Sequence, residues 1–316
     1  MELREIGRSG IKVSPVCLGG NVFGWTADEK ASFEVLDTFV ASGGNFIDTA
    51  DVYSTWGPGH KGGESETVIG KWLKSRGNRD KVIIATKVGS DMGDGKKGLK
   101  ASYIARAVED SLKRLQTDYI DLYQSHRDDL DTPQEETLGA YAKLIEVGKV
   151  RAIGASNFTA ARLKEALDIS VANDLPRYEC LQPLYNLYHR KEYEAELEPL
   201  CRSEQLGVIG YFALASGFLT GKYRSEADLT KSARGEDVAE YLNDRGFRIL
   251  KALDEVAAEA KATQAQVAVA WQSARPSVTA PIVSATKREQ ARQIVGAMEL
   301  ELSAAAIEKL DRASAA

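Results

Sequence analysis

The chain has 316 residues, of which 43% are hydrophobic and 28% charged, and this composition is that of a globular protein with a buried core. A formal net charge of -5, with no long block of lysine or arginine, argues against nucleic acid or an anionic membrane as a partner. No apolar run approaches the ~20 residues that span a bilayer, and the N-terminus carries no apolar signal core, so we expect a cytoplasmic protein.

Cysteine and histidine are scarce in this chain. Cys17, Cys180 and Cys201 form an odd set without metal-type spacing, and we expect them to be reduced thiols. The three histidines are too few and too scattered to build a metal cage, so we expect no metal site.

Eight short apolar runs alternate with helical segments along nearly the whole chain, which is the pattern of a parallel sheet wound by helices. The predicted strands lie within residues 13–20, 45–50, 81–88, 118–126, 150–156, 179–185, 207–214 and 279–285. Between the strands, helical signals recur. One example is the segment after Thr132, where that residue can cap a helix, Pro133 suits its first position and Glu135 completes a capping box.

Eight strand–helix units in a chain of this length, without a composition break or a Pro/Ser-rich linker, predict a (β/α)8 TIM barrel forming one domain over residues 1–316. The alternative is an open doubly wound sheet, but that fold usually carries GxGxxG near its first strand, and the motif is missing here. Three parts lie outside the eight units: an N-terminal hairpin at 3–14, an extended segment at 216–245, and two helices near 264–274 and 303–313.

Polar residues stand at the ends of three successive predicted strands. Asp48 and Tyr53 follow the second strand, Lys87 ends the third, and His126 ends the fourth, with 39 residues between positions 48 and 87 and between 87 and 126. Because the C-terminal ends of barrel strands meet at one mouth, we expect these four side chains to lie together.

These residue types suit acid catalysis of carbonyl reduction. A phenol is a poor proton donor near neutral pH, but an adjacent ammonium lowers its pKa, and Lys87 can supply that charge to Tyr53. Asp48 would hold the ammonium in place, and a neutral His126 can donate to the carbonyl oxygen. Each residue alone is more often a cap, a packing residue or a satisfied core group, so the prediction depends on all four together.

The sequence resembles the aldo-keto reductases over essentially its whole length. The segments NFIDTADVY, GESETVIGKWL, IIATKV, DYIDLYQSH, GKVRAIGASNF, LQPLYN, GYFALASGFLTGKYR and APIVSATKREQ fall in the order of that family, and LASGFLTGKY is closest to its bacterial and channel-subunit-like branches. The resemblance implies a barrel that binds NADPH or NADH in extended form, with Asp48, Tyr53, Lys87 and His126 as the catalytic tetrad.

The resemblance also implies the residues that hold the cofactor. Ser156, Asn157 and Gln182 match residues that bind the nicotinamide carboxamide, and Tyr211 matches the aromatic residue that stacks on the ring. Phe212 and Ala213 replace the common Ser-Pro of the family. The other implied contacts, beside Asp48, lie in the loop after strand one and in the pyrophosphate-covering segment, at Gly19, Gly20, Asn21, Leu214, Ser216, Gly217, Leu219, Gly221 and Lys222.

The adenosine end of the cofactor is implied to lie at Ser284, Thr286, Lys287, Arg288 and Gln290. Thr286 stands where relatives often carry arginine, and threonine cannot clamp a 2'-phosphate as a guanidinium does. Lys287 and Arg288 can take over this role, because the start of a helix favours an anion, so we expect NADPH in preference to NADH.

The substrate is expected to be a small-molecule carbonyl compound, with Phe23, Trp56 and Arg127 as pocket-wall candidates. Arg127, beside the catalytic histidine, raises the hypothesis of an anionic or polyhydroxylated substrate. The sequence leaves two other functions open. Lys87 could form a Schiff base in a lyase, which Asp48 argues against, or the chain could be a cofactor-binding regulatory subunit with slow turnover.

Overall fold

The computed structural model describes residues 2–231 and 235–315. Its main feature is a sheet of eight parallel strands. The strands are β3 (Cys17–Gly19), β4 (Phe46–Asp48), β5 (Ile83–Val88), β6 (Ile120–Ser125), β7 (Val150–Ser156), β8 (Tyr178–Gln182), β9 (Gly207–Val208) and β10 (Ile282–Val283). Their spatial order is β10-β3-β4-β5-β6-β7-β8-β9.

Backbone hydrogen bonds close the two edges of this sheet onto each other. The amide of Thr279 donates to the carbonyl of Val208 at 2.8 Å, and that of Ile282 donates to the carbonyl of Gly210 at 2.8 Å. A closed ring of parallel strands is a (β/α)8 barrel, so the predicted fold class is confirmed and the open doubly wound sheet is excluded.

Helices connect successive strands on the outside of the barrel. Seven of the helices that lie between strands are α1 (Glu29–Ala41), α2 (Glu64–Arg76), α3 (Ala101–Leu115), α4 (Gln134–Glu146), α5 (Ala160–Ala172), α6 (Glu198–Ser203) and α7 (Asp244–Ala260), and α9 (Arg288–Glu299) follows the last strand. Two additional helices, α8 (Gln264–Ser273) and α10 (Ala304–Ser314), lie where the sequence predicted them. None of the helices in the described ranges is long and apolar enough to cross a membrane.

The N-terminal hairpin closes one end of the barrel. Its strands β1 (Arg4–Glu5) and β2 (Lys12–Val13) pair antiparallel, as predicted. Ile6, Ile11 and Val13 pack on residues that point into the barrel, which include Cys17 and Phe46, the first residues of their strands. The hairpin thus covers the N-terminal ends of the strands and leaves the C-terminal ends as the mouth.

Two details differ from the predicted elements. Strand β9 ends at Val208 and not near residue 214. The amides of Ile209 and Tyr211 still donate to the carbonyls of Leu181 and Pro183, and the chain then turns at Phe212 into the left-handed region with a φ of 56°. The expected cap of α4 is wrong. Thr132 donates to Oδ2 of Asp129 at 2.7 Å, and Pro133 occupies the N-cap position without a side-chain hydrogen bond, so the threonine stabilises the preceding loop instead of the helix.

Candidate active site

Lys87 lies at the centre of the candidate site, at the barrel mouth. Its ammonium donates to Oδ2 of Asp48 at 2.7 Å, to the hydroxyl of Tyr53 at 2.7 Å and to the carbonyl of Thr49 at 2.9 Å. The side chains of Lys87 and Asp48 are 0% and 1% exposed. The three N–H groups of the ammonium are therefore all used, and the ion pair is shielded from water.

The strands bring these residues together with a stagger. In the ladder between β4 and β5, Asp48 is the Cα partner of Ala85, two residues before Lys87, and in the next ladder Lys87 is the partner of Gln124, two residues before His126. Such a shift from strand to strand is the shear of a closed barrel. The equal spacing of 39 residues between Asp48, Lys87 and His126 therefore reflects their places on successive strands. The long side chain of Lys87 spans the two-residue offset to Asp48.

His126 completes the predicted group of four. Its ring centroid lies 6.0 Å from that of Tyr53, with an angle of 72° between the ring planes. Burial, together with the nearby charges of Lys87 and Arg127, holds the pKa of the imidazole well below its ordinary value. The imidazole is therefore neutral at physiological pH, and its Nδ1 is buried without a hydrogen-bond partner among the described residues.

The residues predicted to bind the nicotinamide carboxamide form one hydrogen-bonded chain beside the tetrad. Asn157 donates to the carbonyl of His126 at 2.9 Å, and the hydroxyl of Tyr211 donates to Oδ1 of Asn157 at 2.8 Å. Ser156 donates to the carbonyl of Gln182 at 2.9 Å, and Nε2 of Gln182 donates to Oδ1 of Asp48 at 3.0 Å. Nδ2 of Asn157 also donates to Oγ of Ser156 at 3.1 Å, so these contacts join the three carboxamide candidates and Tyr211 to Asp48 and His126.

The predicted loop after strand one lies against the end of the barrel ring. A Cβ on Gly19 would stand 2.6 Å from Oγ of Ser284, and Ser284 in turn donates to the side chain of Asn21. The amide of Gly20 donates to the carbonyl of Asp48 at 2.7 Å, and a Cβ there would meet that carbonyl at 3.0 Å. Both glycines are thus needed for close packing of the backbone at this edge of the mouth.

The predicted pyrophosphate segment has an unusual backbone. Phe212, Ser216 and Gly217 all have φ values in the left-handed region, and Phe212 is 45% exposed. A Cβ on Gly217 would lie 3.5 Å from Nζ of Lys222, so this lysine folds back over the turn. Three members of the predicted set, Ala213, Leu214 and Leu219, turn apolar side chains toward the core, and Gly221 ends the turn with a φ of 77°.

The predicted adenosine end lies at the start of α9. The amide and the hydroxyl of Thr286 both donate to Oε1 of Gln290, at 2.8 and 3.1 Å. Lys287 is the N-cap residue of α9 and makes no side-chain capping hydrogen bond, and Arg288 is the first residue of the helix. Both cations are exposed at a helix N-terminus, where an anion is favoured.

The three substrate candidates have different surroundings. Trp56 is 47% exposed, its ring centroid lies 5.9 Å from that of Tyr53, and Trp25 contacts it edge-on at 5.7 Å. Arg127 is exposed beside His126 and makes no ion pair with any of the described residues. Phe23 is 0% exposed and packs in the core, so its side chain does not line an open surface.

Three residues that contact the predicted ones were not predicted from the sequence. Gln124 donates to Asp48, Thr49 accepts from Lys87 through its carbonyl, and Trp25 extends the aromatic surface of Trp56. Only Gln124 had a signal in the sequence. It stands two residues before His126 in a predicted strand, and residues two apart share one face of a strand. No group of three or more potential metal ligands occurs within 2–231 and 235–315.

The chain is similar to proteins of one family over nearly its whole length. The model of the Aldo/keto reductase family matches residues 15–315. An uncharacterized oxidoreductase, YrpG of Bacillus subtilis, is 38% identical over 96% of this chain and 92% of its own length. A probable voltage-gated potassium channel subunit beta of Oryza sativa subsp. japonica is 33% identical over 95% and 92%, and norsolorinic acid reductase of Aspergillus flavus is 31% identical over 96% and 79%. The chain therefore belongs to the aldo-keto reductase family, a family of oxidoreductases that generally bind NAD(P)H.

Proposed function

We propose that this protein is an NADPH-dependent carbonyl reductase that converts an aldehyde or ketone to an alcohol, with Tyr53 as the proton donor. The observation that carries the proposal is the buried ammonium of Lys87, which donates to both Asp48 and the hydroxyl of Tyr53 at 2.7 Å. The balanced reaction consumes one carbonyl, one reduced nicotinamide and one proton, and it yields the alcohol and the oxidised nicotinamide.

Lys87, Asp48 and His126 each assist proton transfer from Tyr53 in a different way. Lys87 stabilises the phenolate that forms when Tyr53 gives its proton to the carbonyl oxygen, and Asp48 fixes the ammonium by an ion pair. The neutral imidazole of His126, 6.0 Å from the tyrosine ring, can donate its ring hydrogen to the same oxygen. When bound, the dihydronicotinamide supplies the hydride, which no side chain can provide.

The surroundings of the mouth suit a dinucleotide. Gly19 and Gly20 let the loop after strand one pack closely at the edge of the mouth, and Lys222 lies beside the left-handed turn at Ser216 and Gly217. The exposed Phe212 and half-buried Tyr211 offer aromatic faces for a planar ring. Lys287 and Arg288 favour the phosphorylated cofactor, NADPH, over NADH.

The substrate in this proposal is a small carbonyl compound held between Trp56 and Arg127. Trp56 contacts Tyr53 and is half exposed, so it can cover an apolar part of the substrate. Arg127 is an exposed cation without an ion-pair partner in the described ranges, and it suits an anionic or hydroxylated group.

A second candidate is a cofactor-binding regulatory subunit with slow turnover. It is favoured by the likeness to proteins named as probable potassium channel beta subunits in Oryza sativa and Arabidopsis thaliana, at 33% and 32% identity. A Schiff-base lyase is disfavoured, because all three N–H groups of Lys87 are donated and Asp48 stabilises the ammonium over the free amine.

The test is a fluorescence titration with NADPH and NADH, followed by an aldehyde panel on the wild type and Tyr53→Phe. We expect Tyr53→Phe to retain cofactor affinity and lose turnover at least about 100-fold, because the hydroxyl delivers the proton and does not hold the dinucleotide. Tyr119→Phe is the matched control, since Tyr119 precedes β6 at the opposite end of the barrel. Cofactor binding with an equally slow single turnover in both proteins would favour the regulatory subunit.

A further inference from the structure

We propose that Gln124 is a positioning residue that links the catalytic aspartate to the residue predicted to hold the nicotinamide carboxamide. This inference rests on the proposed function, because it assigns Gln124 a role in the same reaction. Gln124 is 0% exposed and lies in β6, between Leu122 in the barrel interior and His126 at the mouth.

Gln124 makes one hydrogen bond in each direction. Its Nε2 donates to Oδ1 of Asp48 at 3.2 Å, and its Oε1 accepts from Nε2 of Gln182 at 3.2 Å. Gln182 also donates to the same Oδ1 at 3.0 Å. Three buried side chains thus form a closed triangle of hydrogen bonds in the interior of the barrel.

The triangle determines how each oxygen of Asp48 is used. Oδ2 accepts from Lys87 and from the hydroxyl of Tyr53, while Oδ1 accepts from the two glutamine amides. A carboxylate with donors on both oxygens cannot rotate without breaking several hydrogen bonds. Gln124 therefore helps to keep Oδ2 directed at the ammonium.

The same triangle determines the orientation of the Gln182 amide. Its NH2 group has two hydrogens, and these are donated to Asp48 and Gln124. The amide oxygen of Gln182 is then the free end, since nothing donates to it among the residues the structure describes. A free acceptor oxygen is what recognition of a carboxamide N–H requires.

The neighbouring strand leaves space for Gln124. Gly154 of β7 is the Cα partner of Gln124, and a Cβ on this glycine would lie 3.0 Å from Cγ of the glutamine. That distance is tighter than ordinary van der Waals contact. A glycine beside a buried glutamine is consistent with a side chain whose exact position matters.

The experiment compares Gln124→Met with Gln124→Glu in the wild-type background. Methionine keeps the length of the side chain and removes both hydrogen bonds, so we expect kcat to fall about 10-fold and the Kd of NADPH to rise several-fold. An introduced glutamate still accepts from Gln182, so cofactor affinity should stay near the wild-type value. Its charged carboxylate cannot donate to Asp48, and kcat should therefore recover only as the pH falls and that carboxyl binds a proton.

The matched control is Gln272→Met. Gln272 is also 0% exposed and donates to the carbonyl of Tyr185, but it makes no hydrogen bond to the tetrad. The Gln272→Met substitution should lower the melting temperature without changing the pH profile of kcat. Gly154→Ala is a milder second variant, which displaces Gln124 and should reduce kcat in the same direction.

The outcomes separate this inference from the proposed function. A wild type that binds no NADPH and reduces no carbonyl would remove both. The role of Gln124 alone would be refuted if the wild type is fully active and the Gln124→Met, Gln124→Glu and Gln272→Met variants have the same kcat, the same Kd for NADPH and the same pH profile. Separate effects of the Met and Glu variants on Kd and kcat would support it.

Discussion

The ammonium of Lys87 lies 2.7 Å from the hydroxyl oxygen of Tyr53 and donates a hydrogen bond to it in the interior of the protein. The same ammonium lies 4.4 Å from the centroid of the tyrosine ring. Asp48 contacts both groups, at 2.7 Å from the lysine and 3.2 Å from the tyrosine. A change at Lys87 therefore acts on the charge balance of the core and on the phenol at once.

Lys87→Met should lose both stability and activity. It leaves the carboxylate of Asp48 buried without its counter-ion, which costs about 3–5 kcal/mol of unfolding free energy, and kcat should fall about 10²–10⁴-fold. The double variant Asp48→Asn/Lys87→Met removes the buried charge altogether, so it should regain most of the stability but none of the activity. Urea unfolding and steady-state kinetics check both. A double variant as unstable as Lys87→Met would contradict the charge argument.

The second prediction is that the stability of the protein depends on pH through Asp51. Its side chain is buried, and no side chain among the described residues donates a hydrogen bond to either carboxylate oxygen. Burial, and next the charge of Glu66, raises the pKa of Asp51 to about 8, against the weaker opposing effect of Arg114. The folded protein therefore keeps this carboxyl protonated at pH values where the unfolded chain has lost the proton.

The stability of the wild type should accordingly fall as the pH rises from about 4 to about 8, by up to roughly 5 kcal/mol from this group. Asparagine does not titrate, so Asp51→Asn should not lose this stability. The unfolding free energy of the variant minus that of the wild type should therefore increase from about pH 4 to about pH 8. Urea unfolding at pH 5, 6, 7 and 8 measures it. Asp121→Asn is the control, because Asp121 is equally buried but paired with Arg79 and Arg151, and its loss should destabilise throughout. A constant difference between Asp51→Asn and the wild type would refute the prediction.

The sequence was sufficient to predict the barrel and the proximity of Asp48, Tyr53, Lys87 and His126, because both depend on periodic signals. Strand runs recur through the chain, and Asp48, Lys87 and His126 mark the ends of successive strands. Contacts that depend on exact backbone paths were not predictable. The left-handed turn at Phe212 interrupts the predicted strand before residue 214, and Thr132 donates its hydroxyl to Asp129 instead of capping α4.

Gln124 shows a different limit of sequence reasoning. Its spacing from His126 places both residues on one face of the strand, but only the closed barrel brings that face into the interior beside Asp48. Asp51 had no signal of its own, because its burial depends on the packing of α2 and α3, which carry Glu66 and Arg114. Long-range packing, and not local pattern, determined both environments.

The third prediction concerns the choice between NADPH and NADH. Lys287→Ala/Arg288→Ala removes the two exposed cations at the start of α9, so the Kd of NADPH should rise about 10- to 100-fold while that of NADH stays nearly constant. Fluorescence titration with both cofactors measures this. Lys100→Ala is the matched control, because Lys100 is likewise an exposed N-cap lysine, of α3, without a capping hydrogen bond. An equal loss of affinity for NADPH and NADH would mean that these cations do not bind the 2'-phosphate.

The fourth prediction concerns the charge of the substrate. The guanidinium of Arg127 lies near enough to lower the pKa of His126 and oppose the rise in that of Tyr211, yet it is exposed and forms no ion pair in the described part of the chain. Arg127→Ala should therefore raise KM about 10-fold for an aldehyde that carries a carboxylate and leave KM for its neutral counterpart unchanged. Arg127→Lys keeps the charge and should recover part of the loss. Initial-rate kinetics with both aldehydes test this prediction. An equal increase in KM for the two substrates would mean that Arg127 shapes the mouth and does not recognise an anion.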